Sequence, residues 1–519
     1  MTTAKAYKAS CPTLPAFPAD YAVVAAQDLN CTDVVNNNNK YYHLEVQVAR
    51  NGAARVHSEY GRVGAKSPAR EFRYCASEAE ARTVYEAIIR EKTGRARDPY
   101  VRVALSARAV GSVGAKNVVT PLRAVPGPGA GARGGLALVA APASRSSLHP
   151  EVQRVVSQFF RATGRFVETN LQCPLGQLSR DQIDQGRAVL DRAKALLNTG
   201  APARSLRREL DELTNRFYSL IPHNFGYTKL DPDALRLDGL GRVAQKEADL
   251  DVFLDAKSVA KSLAAGAAID EQYASLGAEL RYLPPDDATF RWVERLLHET
   301  RAKNHGFLGQ LSVKSVLAVS RRDEGDLARP TPFLENVGRI GRELAHARGS
   351  AYNAPHVKRV DDRPDLDARL RGLYAAANVW PAWHGTRNAN MTGILSRGLL
   401  IRPAGAVHAG SMFGDGLYFA HQSTKAINYT SVRGSYWASG ADDIGYVFLA
   451  DVAFGAMHVA PSSHFFREPP RGCHSVYGKQ GATGGLVNDE MIVYRPTGPS
   501  QQHALRYVVE IQSGTSARA

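Results

Sequence analysis

The sequence predicts a multidomain α+β protein: a small β-rich domain, then an all-α bundle, then a mixed α+β domain. Three observations carry this. The chain has 519 residues, too many for one ordinary core, so two to four domains are expected. Polar and apolar residues alternate near residue 43, and after residue 148 this gives way to apolar residues spaced three and four apart, the periods of strand and helix. From about residue 270 short β-rich runs return with few helices between them, which favours a mixed sheet over a doubly wound one.

Residues 1–39 have neither period, contain three prolines and end in four asparagines; they read as a disordered tail. In the β-rich domain, residues 40–105, His43-Leu44-Glu45-Val46-Gln47-Val48 alternates, Asn51-Gly52 is a hairpin signal, and Arg55–Tyr60 returns. Ser77 and Glu80 form a capping-box pair before a helix with Ala81, Val84, Ile88 and Ile89 on one face, ended by Gly94. Residues 106–147 hold five basic residues, no acidic one and Pro126-Gly127-Pro128-Gly129, a flexible basic linker able to brush along nucleic acid. In the bundle, residues 148–270, Ser179 and Gln182 cap one helix. Leu206, Leu210, Leu213, Phe217 and Leu220 line the next, before Pro222. Residues 271–519 carry the strands of the last domain, among them Tyr446–Val452 and Tyr507–Ile511.

The net charge of +15 favours polyanionic partners, nucleic acid first. Within 40–105, thirteen Lys and Arg face eight Asp and Glu; the excess lies around Arg55, Arg62, Lys66, Arg70 and Arg73. With Tyr60 this reads as a phosphate-contacting surface with an aromatic platform or, equally, as a solvated charged face. The five cysteines are scattered, which argues against a zinc finger or a disulfide scaffold and for a reducing compartment. No apolar run approaches the ~20 residues of a membrane span, and no signal-peptide pattern opens the chain. An intracellular protein without membrane association is expected.

The densest stretch is 383–430. It reads Trp383-His384-Gly385-Thr386-Arg387, then Met412-Phe413-Gly414-Asp415-Gly416-Leu417-Tyr418-Phe419-Ala420, then Lys425-Ala426-Ile427-Asn428-Tyr429; Asn488-Asp489-Glu490-Met491 follows at a strand start. Glycine, aromatics and single polar side chains with few carboxylates suit a cleft for a planar, phosphate-bearing ligand better than a metal cage. No Gly-x-Gly-x-x-Gly turn opens a helix, against a Rossmann site. Taken singly, His384, Tyr418 and Glu490 would more often be structural.

Together these three, each in its own local motif, resemble the His-Tyr-Glu constellation of the diphtheria-toxin-like ADP-ribosyltransferase fold. Asn215-Arg216-Phe217-Tyr218-Ser219-Leu220-Ile221-Pro222-His223-Asn224-Phe225-Gly226 and Pro174-Leu175-Gly176-Gln177-Leu178-Ser179 resemble the helical regulatory domain of DNA-dependent poly(ADP-ribose) polymerases. Tyr60-Gly61-Arg62-Val63-Gly64, with Glu91-Lys92-Thr93-Gly94, resembles the WGR domain. The resemblance covers 40–105 and 148–519.

It implies a DNA-activated poly(ADP-ribosyl)transferase that uses NAD+ as substrate, without a metal, passes ADP-ribose to protein acceptors, itself included, and elongates the chain with release of nicotinamide. By the same resemblance, His384 anchors the adenosine ribose, and Gly385 admits the nicotinamide amide. Tyr418 and Tyr429 sandwich its ring, Thr386 and Asn390 lie near the adenine ribose, and Lys425 lies near the acceptor. Glu490 stabilises the oxocarbenium-like centre and activates the incoming hydroxyl. DNA is met by Tyr60, Arg62 and Lys66, and Asp251 and Asp255 match acidic residues on the adenosine side. An intracellular location is expected, in a nucleus or, in a prokaryote, in the nucleoid or cytoplasm.

Two departures stand out. Ala426 replaces a serine that donates to the nicotinamide amide, and tyrosine replaces the WGR tryptophan. The loop between Gly478 and Glu490 is short, which bears on acceptor choice. The alternatives are a single transfer, to protein or to DNA ends, and a DNA-end-binding scaffold with an idle cleft.

Overall fold

The computed structural model describes residues 4–63, 67–95, 99–103, 146–171, 178–199, 201, 204–225, 229–264, 268–308, 310–321, 331–346, 362–401, 412–435, 437–438, 440–481, 486–495 and 500–514. They fall into two compact units, one within Met1–Val139 and Gly164–Lys261, the other within Ala140–Thr163 and Ser262–Ala519. The predicted linker 106–147 lies almost wholly outside the described residues, as do Lys66 and 174–177.

The first unit opens with strands β1 (Ala6–Lys8), β2 (Tyr21–Asp33), β3 (Asn38–Ala49), β4 (Ala54–Arg62) and β5 (Ala69–Cys75), helix α1 (Glu78–Thr93) and strand β6 (Val101–Val103). They form one antiparallel sheet in the order β1-β5-β4-β3-β2-β6. Period-two alternation sends Leu44, Val46 and Val56 to one face, where Ala81, Tyr85, Ile88 and Ile89 of α1 cover them. Ser77 Oγ accepts from Glu80 N at the helix start. The opposite face is polar yet buried. His43 sits between Asp28 (2.8 Å) and Glu45 (3.0 Å), and the Arg55 guanidinium lies over Phe17 and Phe72 at 4.0 and 4.5 Å.

The predicted disordered tail is corrected here. β2 pairs with β3 over twelve residue pairs, from Tyr21↔Ala49 to Asp33↔Asn38. Tyr74 Oη donates to Pro15 O across 2.5 Å. The asparagine run spans the β2–β3 turn and the start of β3, with Asn37 at φ 54°, a conformation asparagine tolerates better than most residues. The first domain therefore begins well before residue 40.

Helices α2 (Pro150–Asn170), α3 (Arg180–Leu197), α4 (Arg207–Leu220), α5 (Pro232–Leu235) and α6 (Leu240–Ala264) follow; residues 150–163 of α2 count with the second unit and 164–170 with the first. Leu210, Phe217 and Leu220 of α4 are buried, as its spacing predicts. The buried ion pair Lys194–Glu247 joins α3 to α6, and Arg187 pairs with Asp251 at 2.6 Å.

The Asn215–Ser219 stretch receives the end of β2. Asn30 Nδ2 donates to the carbonyls of Tyr218 and Ser219 (3.1 and 3.2 Å). Thr32 N donates to Ser219 Oγ (2.8 Å) and Val34 N to Asn215 Oδ1 (2.8 Å). The donors and acceptors at the end of the sheet are thus met by the helix that the signature builds.

The second unit holds α7 (Ile269–Ser275), β7 (Ala278–Leu283), α8 (Ala288–Glu299), β8 (Leu311–Arg321), α9 (Pro332–His346), α10 (Ala368–Ala376), β9 (Val379–Gly385), α11 (Met391–Arg397), β10 (Leu417–Phe419), α12 (Ser423–Ile427), β11 (Ile444–Ala453), β12 (Met457–Ala460), β13 (Ser475–Gly478), β14 (Glu490–Val493) and β15 (His503–Ser513). The predicted boundary at 271 falls inside α7, because the first residues of that helix precede the texture change. One sheet runs β7-β8-β15-β11-β9 and a second β10-β14-β13-β12; among the described strands only β12–β13 is a parallel pair. The bridge Trp383↔Ala420 joins their edges. Arg154 of α2 grips Glu510 of β15 with two hydrogen bonds, 2.9 and 2.5 Å. At the centre, buried Asp451 of β11 takes Arg363, Arg506 (2.8 Å) and Tyr374 (2.7 Å).

Candidate active site

The site stands where the two sheets of the second unit meet. β9 ends on His384 and Gly385. β10 carries Tyr418, paired across to Ile492 of β14, and β14 begins with Glu490. The Trp383↔Ala420 bridge sets the His384 segment beside the Tyr418 segment.

The His384 ring nitrogen Nδ1 lies 3.0 Å from Tyr418 O. A carbonyl only accepts, so Nδ1 carries the proton and the neutral ring keeps its Nε2 lone pair. Burial lowers the His384 pKa, and the bond to Tyr418 O opposes this less strongly. The ring is a fixed acceptor for a hydroxyl.

Gly385 is required by packing. A Cβ there would stand 1.7 Å from Ala426 O and 2.5 Å from Ala426 C, so only glycine lets β9 pass α12. This reason differs from the expected approach of a ligand amide. Thr386 is buried and its Oγ1 accepts from Asn390 Nδ2 at 2.8 Å, which places the two residues together.

Tyr418 is tied to the preceding turn: its Oη donates to Gly414 O (3.0 Å) and accepts from Phe413 N (3.1 Å). Tyr429 follows α12 and is 41% exposed, an accessible ring near-parallel to Trp437 at 18° and 6.3 Å between centroids.

Lys425 and Glu490 form the charged heart of the site. Lys425 Nζ lies 2.6 Å from Glu490 Oε1 and 2.5 Å from Asp489 O. Burial raises the Glu490 pKa, and the Lys425 charge pulls it back. Burial lowers the Lys425 pKa, and Glu490 opposes this. Holding an ion pair in so dry a place needs further hydrogen bonds. Lys425 gives one to the Asp489 carbonyl, and residues that the sequence did not single out brace Asp489 and its surroundings. Asp489 takes Tyr477 Oη (2.7 Å) and Gln480 N (2.6 Å), with His421 Nε2 at 3.5 Å. His305 lies between Thr424 (3.1 Å) and Asn488 (3.2 Å). The adjacent carboxylates Asp489-Glu490 were the one signal in the sequence that pointed there. Ala426 is buried and brings no hydroxyl.

In the first unit, Tyr60 is half-buried. It stacks on Tyr42 at 5.0 Å and 3°, and its Oη donates to Glu71 at 2.8 Å. One face of the ring is thus covered, which leaves less than the open platform expected. Arg62 donates to Asn37 O (2.6 Å) and Asn37 Oδ1 (2.9 Å); that Oδ1 also accepts Leu230 N (3.0 Å). Arg62 thus braces the β2–β3 turn against the segment before α5. Lys66 lies outside the described residues. Asp251 is paired with Arg187, as above. Among the described residues no cluster of three His, Cys, Asp or Glu could hold a metal, and no helix is long and apolar enough to cross a membrane.

Comparison with known proteins finds three domain families along the chain: a WGR domain over residues 26–100, a poly(ADP-ribose) polymerase regulatory domain over 146–273 and a poly(ADP-ribose) polymerase catalytic domain over 287–506. The WGR match begins inside β2. The chain is 28% identical to poly [ADP-ribose] polymerase 1 of Gallus gallus over 87% of this chain and 39% of that protein. To poly [ADP-ribose] polymerase 1 of Arabidopsis thaliana it is 26% identical, over 64% of this chain and 29% of that protein. To protein mono-ADP-ribosyltransferase PARP3 of Homo sapiens it is 25% identical, over 87% and 76%. The chain thus spans about two fifths or less of the first two relatives.

Proposed function

From a chain that carries the WGR, regulatory and catalytic domains of poly(ADP-ribose) polymerases, we propose an NAD+-dependent ADP-ribosyltransferase activated by DNA ends or breaks. It transfers ADP-ribose to protein acceptors, itself included, and elongates the chain with release of nicotinamide. Its place is with DNA, in a nucleus or a nucleoid. The observation that carries this reading is Glu490, held 2.6 Å from Lys425 on the strand beside Tyr418.

The residues present suit this substrate. His384 offers a neutral ring nitrogen to a ribose hydroxyl. Tyr418 and Tyr429 offer rings for a flat heteroaromatic cation. Thr386 and Asn390 offer polar groups just beyond the end of the His384 strand. Nicotinamide leaves as a neutral ring from a cationic one, so no strong acid is needed. Glu490 supplies negative charge where positive charge develops on the sugar, and accepts a proton from the incoming hydroxyl. Lys425 keeps Glu490 in place. Tyr60, Arg62 and Lys66 are the proposed DNA-facing residues. Arg62 acts through Asn37 on the helical segment, so that DNA at the WGR domain is felt by the regulatory helices.

A second reading, one transfer only, draws on the human relative named a mono-ADP-ribosyltransferase, of which this chain spans 76%. Labelled NAD+ supplied with and without a short blunt, 5′-phosphorylated duplex separates the readings on a gel. A ladder that depends on DNA supports polymer formation. A single band supports one transfer. No labelled product under either condition sinks the enzyme reading and leaves a scaffold.

A further inference from the structure

Four titratable groups crowd the acceptor side of the site: Lys425, Glu490, Asp489 and His421, with side chains 9, 14, 14 and 15% exposed. Three have roles or neighbours that explain them. Asp489 does more than its neighbours require. Its two carboxylate oxygens and its carbonyl each hold a different element: Oδ2 takes Tyr477 Oη of β13, Oδ1 takes Gln480 N in the following turn, and the carbonyl takes Lys425 Nζ of α12. Gly481 N, next to Gln480, donates to Leu486 O at 3.1 Å.

We propose that Asp489 is a positioning residue for Glu490: it ties Tyr477 and Gln480 to the start of β14 and presents its carbonyl to Lys425, so that the Lys425–Glu490 pair is held in one geometry. This rests on the reading of Glu490 given above. Asp489 accepts from a neutral phenol and a neutral amide, neither of which cancels its charge. Among the described residues, the cations beside it are Lys425, already committed to Glu490, and His421 when protonated. A second carboxylate next to the catalytic one resists ionisation of Glu490. The other groups around Glu490 are the Tyr429 phenol, whose pKa the nearby Glu490 charge helps raise, and His305, whose pKa burial and Lys425 lower. Neither supplies a countercharge.

The test is the pH profile of kcat/KM for nicotinamide release by the full chain, for wild type, Asp489→Asn, Tyr477→Phe and Glu490→Gln. Asparagine keeps an acceptor for Tyr477 but turns its amide N–H toward Gln480 N–H, and it carries no charge. Asp489→Asn is expected to lower the plateau kcat several-fold with little change in KM, and to move the acid limb to lower pH. A merely structural loss would lower the plateau without moving the limb. Tyr477→Phe loosens the clamp and keeps the charge, so it is expected to lower kcat with the limb in place; it also covers the case in which Asp489→Asn folds poorly. An unmoved limb in Asp489→Asn, or wild-type kcat in Tyr477→Phe, overturns the proposal. If Glu490→Gln is inactive while both variants behave as wild type, only this inference fails. If Glu490→Gln is fully active, the reading of Glu490 fails with it.

Discussion

Substituting Gly385 with alanine tests the local architecture at its tightest point. The added Cβ would lie 1.7 Å from Ala426 O, 2.5 Å from Ala426 C and 3.2 Å from Ala426 Cα. All three are main-chain atoms, so no side chain can swing aside. To reach 3.0 Å, closer than real Cβ contacts run, the carbonyl must retreat by about 1.3 Å. That carbonyl accepts Tyr429 N at 3.0 Å, and the residue before it is Lys425. The shift therefore drags Tyr429 and Lys425 away from His384, while β9 is held by the pairing Gly385↔Val447. Overpacking of this kind costs about 1–3 kcal/mol, a fall in melting temperature of about 2–12 °C for a unit of this size. A displacement of ~1 Å at reacting groups costs on the order of 10²-fold in rate. Melting curves and nicotinamide-release kinetics read both effects. Gly372→Ala is the control: Gly372 is an exposed helix glycine with nothing within 4 Å of an added Cβ, so it should be neutral or stabilise by about 0.5–1 kcal/mol. Wild-type kcat/KM and stability in Gly385→Ala would refute the packing argument.

Other predictions rest on single contacts. Ala426→Ser restores a hydroxyl at a buried position; a nicotinamide-like inhibitor should bind tighter by about 0.5–1.5 kcal/mol, read by calorimetry, and no gain would mean that this position does not face the amide. Asp451→Ala takes the shared carboxylate from Arg506 and leaves Arg363 with Asp365 alone; it should cost about 3–5 kcal/mol, visible as loss of the second unit's thermal transition. His43 has its pKa raised to about 9, because the Asp28 and Glu45 hydrogen bonds and charges outweigh burial, which alone lowers it. Its stabilising contribution is then full below the unfolded value of about 6.5 and lost as pH rises through about 9. Denaturant midpoints of the first unit should fall across that window, and a His43→Gln variant should lose that slope. His223 runs the other way: burial and the Lys246 charge lower it to about 3, so its contribution is full above about 6.5 and is lost as pH falls toward 3.

The sequence exposed the parts of the molecule whose physics is local. Strand β3 alternates cleanly because one face meets α1. The α4 stripe recurs at helical spacing because one side is buried. His384, Tyr418 and Glu490 stand in short glycine- and aromatic-rich runs at strand ends. β2 was hidden for a physical reason. Val23-Val24-Ala25-Ala26 is an apolar run without alternation, a register shift falls between Val23 and Ala25, and Leu29, Asn30, Cys31 and Thr32 are all buried because both faces are covered. The Asn36–Asn39 run suggested disorder, whereas Asn37 is the hub of Arg62 and Leu230. Long-range pairs left no trace: Arg363 and Asp451 are 88 positions apart, and Tyr477 and Asp489 are 12 apart. Nothing local announced that Tyr42 stacks against one face of Tyr60.

Nicotinamide release from NAD+ by wild type and Glu490→Gln, with the blunt duplex present and a melting curve for each, decides most directly whether Glu490 breaks the bond. Wild type should release nicotinamide robustly, and the variant should lose on the order of 10²–10³-fold in kcat with the fold intact. Equal release by the two proteins would contradict that role, since the carboxylate that Lys425 and Asp489 hold in place would then play no part in breaking the bond.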